Sequence, residues 1–127
     1  MIIGIGVDTI EIARMADLIS IHQEKILSRL FTEDEITYCS RKLSSESYAA
    51  RFAAKEALLK STGIGLNKGF RWKDFEILND NMGKPFVRLN GLAAEALNNC
   101  RIHISLTHTK TLATAFVIVE KKELINE

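Results

Sequence analysis

Glu56 and Lys60 stand four residues apart in the run Phe52-Ala53-Ala54-Lys55-Glu56-Ala57-Leu58-Leu59-Lys60. That spacing sets a carboxylate and an ammonium on one helical face. In so apolar a setting the pair is either a surface ion pair or the floor of a site that handles anions and a metal. A second carboxylate bears on the choice, because Gly4-Ile5-Gly6-Val7-Asp8 delivers Asp8 directly after an apolar strand. Alone, Asp8 reads as the N-cap of the helix that follows. Together with Glu56, if the fold joins them, it suits magnesium, which takes a few carboxylate oxygens along with water and phosphate oxygens. Lys60 beside them would meet a phosphate or, once desolvated, accept a proton.

Ser105-Leu106-Thr107-His108-Thr109 is a further constellation, with hydroxyls and an imidazole on the turn before the last strand. It reads as a phosphate contact or as a plain surface turn. His22 and His103 read as scaffold. Several familiar devices fail. Gly4-Ile5-Gly6 opens like a dinucleotide fingerprint, but Thr9 stands where a third glycine is required. Gly83-Lys84 lacks the earlier glycine of a P-loop and runs into Pro85. The Gly-x-Ser-x-Gly elbow of serine hydrolases is absent from the sequence.

The elements that must position these residues follow from periodicity. Ile3, Ile5 and Val7 alternate in a strand that ends at Asp8, and Ile12, Ala16 and Ile19 place an amphipathic helix over about 10–22. Thr32-Glu33-Asp34-Glu35 has the form of a capping box for a short helix reaching about Lys42. Ser44 and Ser45 open the long helix of Glu56 and Lys60, and Gly63 suits a left-handed stop. Gly63, Gly65 and Gly69, with Asn67 and Lys68, predict a loop whose backbone can approach a ligand. Strands over 72–78 and 86–89 flank a turn-rich hairpin connection. A short helix over 92–97, an alternating strand over 102–106 and a central strand over 112–119 complete an α+β domain with an antiparallel sheet packed by helices.

A chain of 127 residues suits one domain, 1–127, with a core that needs no disulfide or structural metal. No apolar run approaches the roughly 20 residues of a membrane span. A net charge of +1 argues against nucleic acid held by nonspecific charge. Cys39 and Cys100 form no CxxC pair, and Met1-Ile2-Ile3-Gly4 carries no basic region of a signal peptide. A cytoplasmic protein is the expectation.

Five blocks in order carry a resemblance. Gly4 to Arg14, Phe31-Thr32-Glu33-Asp34-Glu35, Arg51 to Lys60, Gly83-Lys84-Pro85 and Ser105-Leu106-Thr107-His108 resemble the holo-(acyl-carrier-protein) synthase family, the small bacterial type of 4'-phosphopantetheinyl transferase. The likeness runs from Met1 to about Glu120. It implies the transferase fold, with one half-length unit per chain. It also implies magnesium-dependent transfer of the phosphopantetheine arm of coenzyme A to a serine of apo acyl carrier protein, releasing adenosine 3',5'-bisphosphate, in support of fatty acid biosynthesis.

By the same resemblance Asp8 and Glu56 are the metal ligands, and Lys60 contacts the pyrophosphate. The base is Lys60 or a water relayed through Glu56. Arg51, Gly63, Pro85, His108 and Thr109 line the coenzyme A pocket. Arg14 meets the acidic carrier protein, with His22, Lys25 and Arg29 extending that patch. Thr107 stands where the family usually has serine. A homotrimer with active sites at subunit boundaries is implied too. Two other readings stand beside this one: the same chemistry on polyketide or peptide-synthetase carrier domains, and a module that binds coenzyme A or a carrier without catalysis.

Overall fold

The computed structural model describes residues 1–42, 44–63 and 69–123. Three antiparallel strands form its main sheet in the order β1 (Ile2–Glu11), β5 (Leu112–Lys121), β4 (Cys100–His108). The central place of β5 agrees with its apolar sequence. Its inward residues Ala113, Ala115, Val117 and Val119 are buried, and they face the long helix α4 (Glu46–Thr62). Ala49, Ala50, Ala53, Ala54 and Ala57 keep α4 thin on that side and are buried. Small side chains let helix and sheet approach closely, and this contact forms the centre of the core.

Around this centre stand α1 (Ile12–His22), α2 (Glu24–Leu30) and α3 (Glu33–Ser40). The capping box at α3 is formed: Glu35 N–H donates to Thr32 Oγ1, and Thr32 N–H donates to Glu35 Oε1 at 2.9 Å. A 3-10 turn (Trp72–Asp74) leads into the hairpin β2 (Phe75–Asn79) and β3 (Pro85–Leu89), and α5 (Gly91–Ala96) connects to β4. Pro85 opens β3 at its first residue, where a missing N–H is tolerated.

Some elements depart from expectation. β1 runs on past Asp8 to Glu11, because its pairing with β5 continues as far as Glu11↔Leu112. The first helix therefore begins at Ile12, and its N-cap position is Glu11 with no side-chain cap bond. Asp8 is no helix cap. α2 was not expected; it follows Gln23, which turns the chain at φ 48°. The strand expected from Trp72 begins three residues later, after the 3-10 turn. Gly63 ends α4 in the left-handed region at φ 68°, as expected. The glycine-rich loop beyond it lies largely outside the described residues.

Candidate active site

Gly4 and Gly6 bring β1 against α4. A Cβ built on Gly6 would lie 2.0 Å from the Ala57 carbonyl oxygen, and one on Gly4 would lie 2.1 Å from that of Ser61. Residues 57 and 61 are one helical turn apart, so alternate strand residues track successive turns of α4. Asp8 continues that inward row of β1, with its side chain 13% exposed. The two glycines that fail as a dinucleotide fingerprint thus serve the packing that carries Asp8 to the helix.

At this junction the predicted trio meets. Lys60 Nζ donates to Asp8 Oδ1 at 2.8 Å and to the Val7 carbonyl at 3.2 Å. Glu56, half-buried one turn earlier, feels the charges of Asp8, Lys60 and Arg14. Burial raises its pKa above the ordinary glutamate value, Asp8 adds to the rise, and Lys60 and Arg14 oppose it. The bond to Asp8 raises the pKa of Lys60, which therefore remains an ammonium near neutral pH.

Two carboxylates so placed that ionising one hinders the other form a donor set that a hard divalent cation relieves. Among the described residues no group of three or more His, Cys, Asp or Glu side chains converges. The set therefore suits a cation that keeps water and substrate oxygens for most of its coordination.

One consequence concerns stability. The folded-state pKa of Glu56 lies above its unfolded value, so the ionised form costs stability at neutral pH, and that cost fades as pH falls through the glutamate range. In metal-free buffer Glu56→Gln is expected to raise the melting temperature at pH 7, with the gain shrinking toward pH 4. A lowered melting temperature at pH 7 would show that the carboxylate stabilises the fold.

The remaining predicted residues lie elsewhere. Arg51 is largely buried at the edge of a surface pocket shared with Tyr38, Asn79 and Phe86; its Nε donates to the Ile77 carbonyl at 3.1 Å and an Nη to Asn79 Oδ1. Tyr38 lies 4.3 Å beneath its guanidinium. Asn79 in turn donates to the Gly83 carbonyl at 3.0 Å and pairs across the hairpin with Pro85, so Arg51 supports the turn that presents Pro85.

His108, at the end of β4, lies 3.6 Å from Glu46 at the start of α4, and Thr109 Oγ1 accepts from the amides of Thr111 and Leu112. Glu46 and Lys60 are separated by about 20 Å along the helix at 1.5 Å per residue. One chain therefore gathers Asp8, Glu56 and Lys60 along the C-terminal half of α4, with exposed Arg14 close by, and leaves His108 beside Glu46 at the start of that helix.

Sequence reasoning passed over one buried cluster. Lys55 and Glu35 form an ion pair at 2.8 Å with neither side chain exposed. The only signal was a lysine inside an apolar helix.

Comparison with known proteins gives a consistent result. Residues 4–117 match the family described as the 4'-phosphopantetheinyl transferase superfamily. The holo-(acyl-carrier-protein) synthase of Geobacter sulfurreducens is 43% identical over 125 residues, covering 95% of this chain and 99% of that protein. That of Solibacter usitatus is 46% identical over 124 residues, covering 94% and 99%. A crystal structure of the Bacillus anthracis holo-(acyl-carrier-protein) synthase in complex with CoA (3',5'-ADP) superposes with a TM-score of 0.82 at 34% identity, over 96% of this chain and 99% of that one.

Proposed function

Because the chain belongs to the 4'-phosphopantetheinyl transferase superfamily, we infer that it transfers the phosphopantetheine arm of coenzyme A to a serine hydroxyl of apo acyl carrier protein. The observation that carries this reading is the meeting of Asp8, Glu56 and Lys60 where β1 crosses α4. Near-full-length likeness to two holo-(acyl-carrier-protein) synthases supports the acceptor, and likeness to the Bacillus anthracis synthase in complex with CoA supports the donor. The product is the holo carrier, and adenosine 3',5'-bisphosphate leaves.

The roles follow from charge and geometry. Asp8 and Glu56 would hold Mg2+, which would neutralise charge on the pyrophosphate. Lys60 meets the phosphate as a cation; as an ammonium already donating to Asp8 and Val7 it does not take up a proton. The proton of the attacking serine falls to a water relayed through Glu56, the other base that the family resemblance offers. Arg14, exposed on α1 beside this site, orients the acidic carrier by complementary charge. Gly63, Pro85, Arg51, His108 and Thr109 belong to the coenzyme A pocket, Arg51 by supporting the Pro85 turn from beneath.

The pocket residues fall into two groups, Gly63 at the end of α4 and His108 beside Glu46 at its start. A homotrimer unites them, the C-terminal end of α4 in one protomer facing His108 of the next. The outer face of the main sheet supports this assembly. Ile3, Ile5 and Val7 of β1 lie 50%, 62% and 54% exposed, beside Phe116 of β5 at 40%. Such a contiguous apolar face marks an interaction surface. A single transferase domain acting in the cytoplasm, within fatty acid biosynthesis, completes the proposal.

Intact-protein mass spectrometry of apo acyl carrier protein incubated with the enzyme, coenzyme A and Mg2+ is expected to show a mass gain of one phosphopantetheine, abolished by chelator. Native spectra of the enzyme are expected to show three chains. Coenzyme A binding without any mass gain on a competent carrier would leave a noncatalytic module. A gain on polyketide or peptide-synthetase carrier domains alone would move the acceptor there.

A further inference from the structure

Lys55 and Glu56 are adjacent in sequence but point about 100° apart around α4, one into the protein and the other toward Asp8. Lys55 Nζ has no solvent access, and its three donors are all used: on Glu35 Oε1 at 2.8 Å, on the Trp72 carbonyl at 3.1 Å and on the Phe75 carbonyl. Glu35 is equally committed. Its Oε1 also accepts the Thr32 amide at 2.9 Å, and its Oε2 accepts the Ile77 amide at 3.1 Å. The pair thus ties α4 simultaneously to the start of α3, to the 3-10 turn and to the edge of β2.

Burying two opposite charges is a poor route to stability, because desolvation offsets most of the attraction. What such a pair does supply is a unique geometry. Three fixed acceptors around one ammonium define both the rotation of α4 about its axis and its position along it. A carboxylate head about 6 Å from the axis moves by roughly 1 Å when the helix rotates by about 10°. Errors of that size at reacting groups cost on the order of 100-fold in rate.

We propose that Lys55 and Glu35 are positioning residues for the transfer reaction, fixing the rotation of α4 so that Glu56 and Lys60 face Asp8. This rests on the phosphopantetheine-transfer reading of the site. On the side facing Asp8, α4 is braced by backbone contact with Gly4 and Gly6 and by the bonds of exposed Lys60 to Asp8 and Val7, which limit approach and leave rotation to be specified from the buried side. On the opposite side Lys55 and Glu35 supply that specification. Among the buried charged residues, Arg51 grips β2 nearer the start of α4, whereas Lys55 stands next to the metal-binding glutamate.

The test uses the full chain and two variants. In Glu35→Gln/Lys55→Met the charges leave together, and the glutamine amide can still accept one backbone N–H and donate to one of the freed carbonyls. Glu35→Asp keeps both charges but shortens the reach by one methylene. Both are compared with wild type for unfolding, for kcat and KM with apo acyl carrier protein, and for Mg2+ titrated calorimetrically into chelator-treated enzyme saturated with coenzyme A.

The double variant is expected to unfold cooperatively at a lowered temperature, because one backbone N–H and one carbonyl lose their partners. Its kcat should fall by about 10- to 100-fold and its Mg2+ affinity by about 10-fold, the range for residues that orient metal ligands, while KM for coenzyme A changes little. Glu35→Asp should lose about 3- to 10-fold in kcat by the same logic, and it decides the matter should the double variant fail to fold. Folded variants with wild-type kcat and wild-type Mg2+ affinity would overturn the proposal. Absence of transfer by the wild-type enzyme itself would instead overturn the assignment of the reaction, a result visible in the reference arm.

Discussion

Gly6→Ala is expected to cost about 3 kcal/mol or more of stability, at or above the upper end for overpacking, and to reduce transfer by roughly 100-fold or more in the molecules that still fold. The added methyl would stand 2.0 Å from the Ala57 carbonyl oxygen and 2.9 Å from its carbon. Both atoms belong to helix backbone, so no side chain can swing aside. Restoring an ordinary separation near 3.5 Å moves α4 away from β1 by roughly 1 Å or more. Because Asp8 is carried by β1 and Glu56 and Lys60 by α4, the same displacement opens the site. The loss of stability and the loss of activity thus share one cause. Chemical denaturation of Gly6→Ala with transfer assays on the folded fraction checks this. Near-native stability with a full rate would mean that the strand and helix are not in such close contact.

Much of this arrangement is legible in the sequence, and the misses have physical reasons. The capping box at Thr32, the left-handed stop at Gly63 and the central place of β5 are local or pattern-level features, and each appears as expected. Asp8 misleads because N-cap logic is local, whereas the ladder that keeps residues 8–11 extended is made with β5 about a hundred residues later. The closeness of Asp8 to α4 was foreshadowed by glycines at alternate strand positions, a mark of close backbone approach. The Lys55 partner could not be read, since Glu35 lies 20 residues away and its pattern already has a complete explanation as a capping box. α2 escaped notice because it is a seven-residue helix without a capping side chain. The place of His108 beside Glu46, at the opposite end of α4 from Lys60, is a property of the folded chain alone, and no spacing in the sequence announces it.

Asp8→Asn is expected to lower kcat/KM for transfer by about 1,000-fold or more while leaving the fold largely intact. The loss in rate follows from what Asp8 does at the site. In the proposed reading it is one of the two carboxylates that would hold Mg2+, and its removal is of the kind that costs about 100- to 1,000-fold where a developing charge loses a fixed partner. It also anchors Lys60, whose ammonium would keep only the Val7 carbonyl and so would no longer be aimed at the phosphate. The fold is spared because an ion pair with a half-exposed lysine stabilises little in water. In addition, the neutral amide removes the Asp8 charge that adds to the burial-driven rise in the pKa of Glu56. Raising the Mg2+ concentration should recover part of the activity if weaker metal binding is the main loss, and none if the lost aim of Lys60 dominates. Thermal unfolding beside an Mg2+ titration of the transfer rate separates these effects. A variant that transfers at the wild-type rate in limiting Mg2+ would remove Asp8 from the metal site and leave Glu56 without the partner that the proposed chemistry requires.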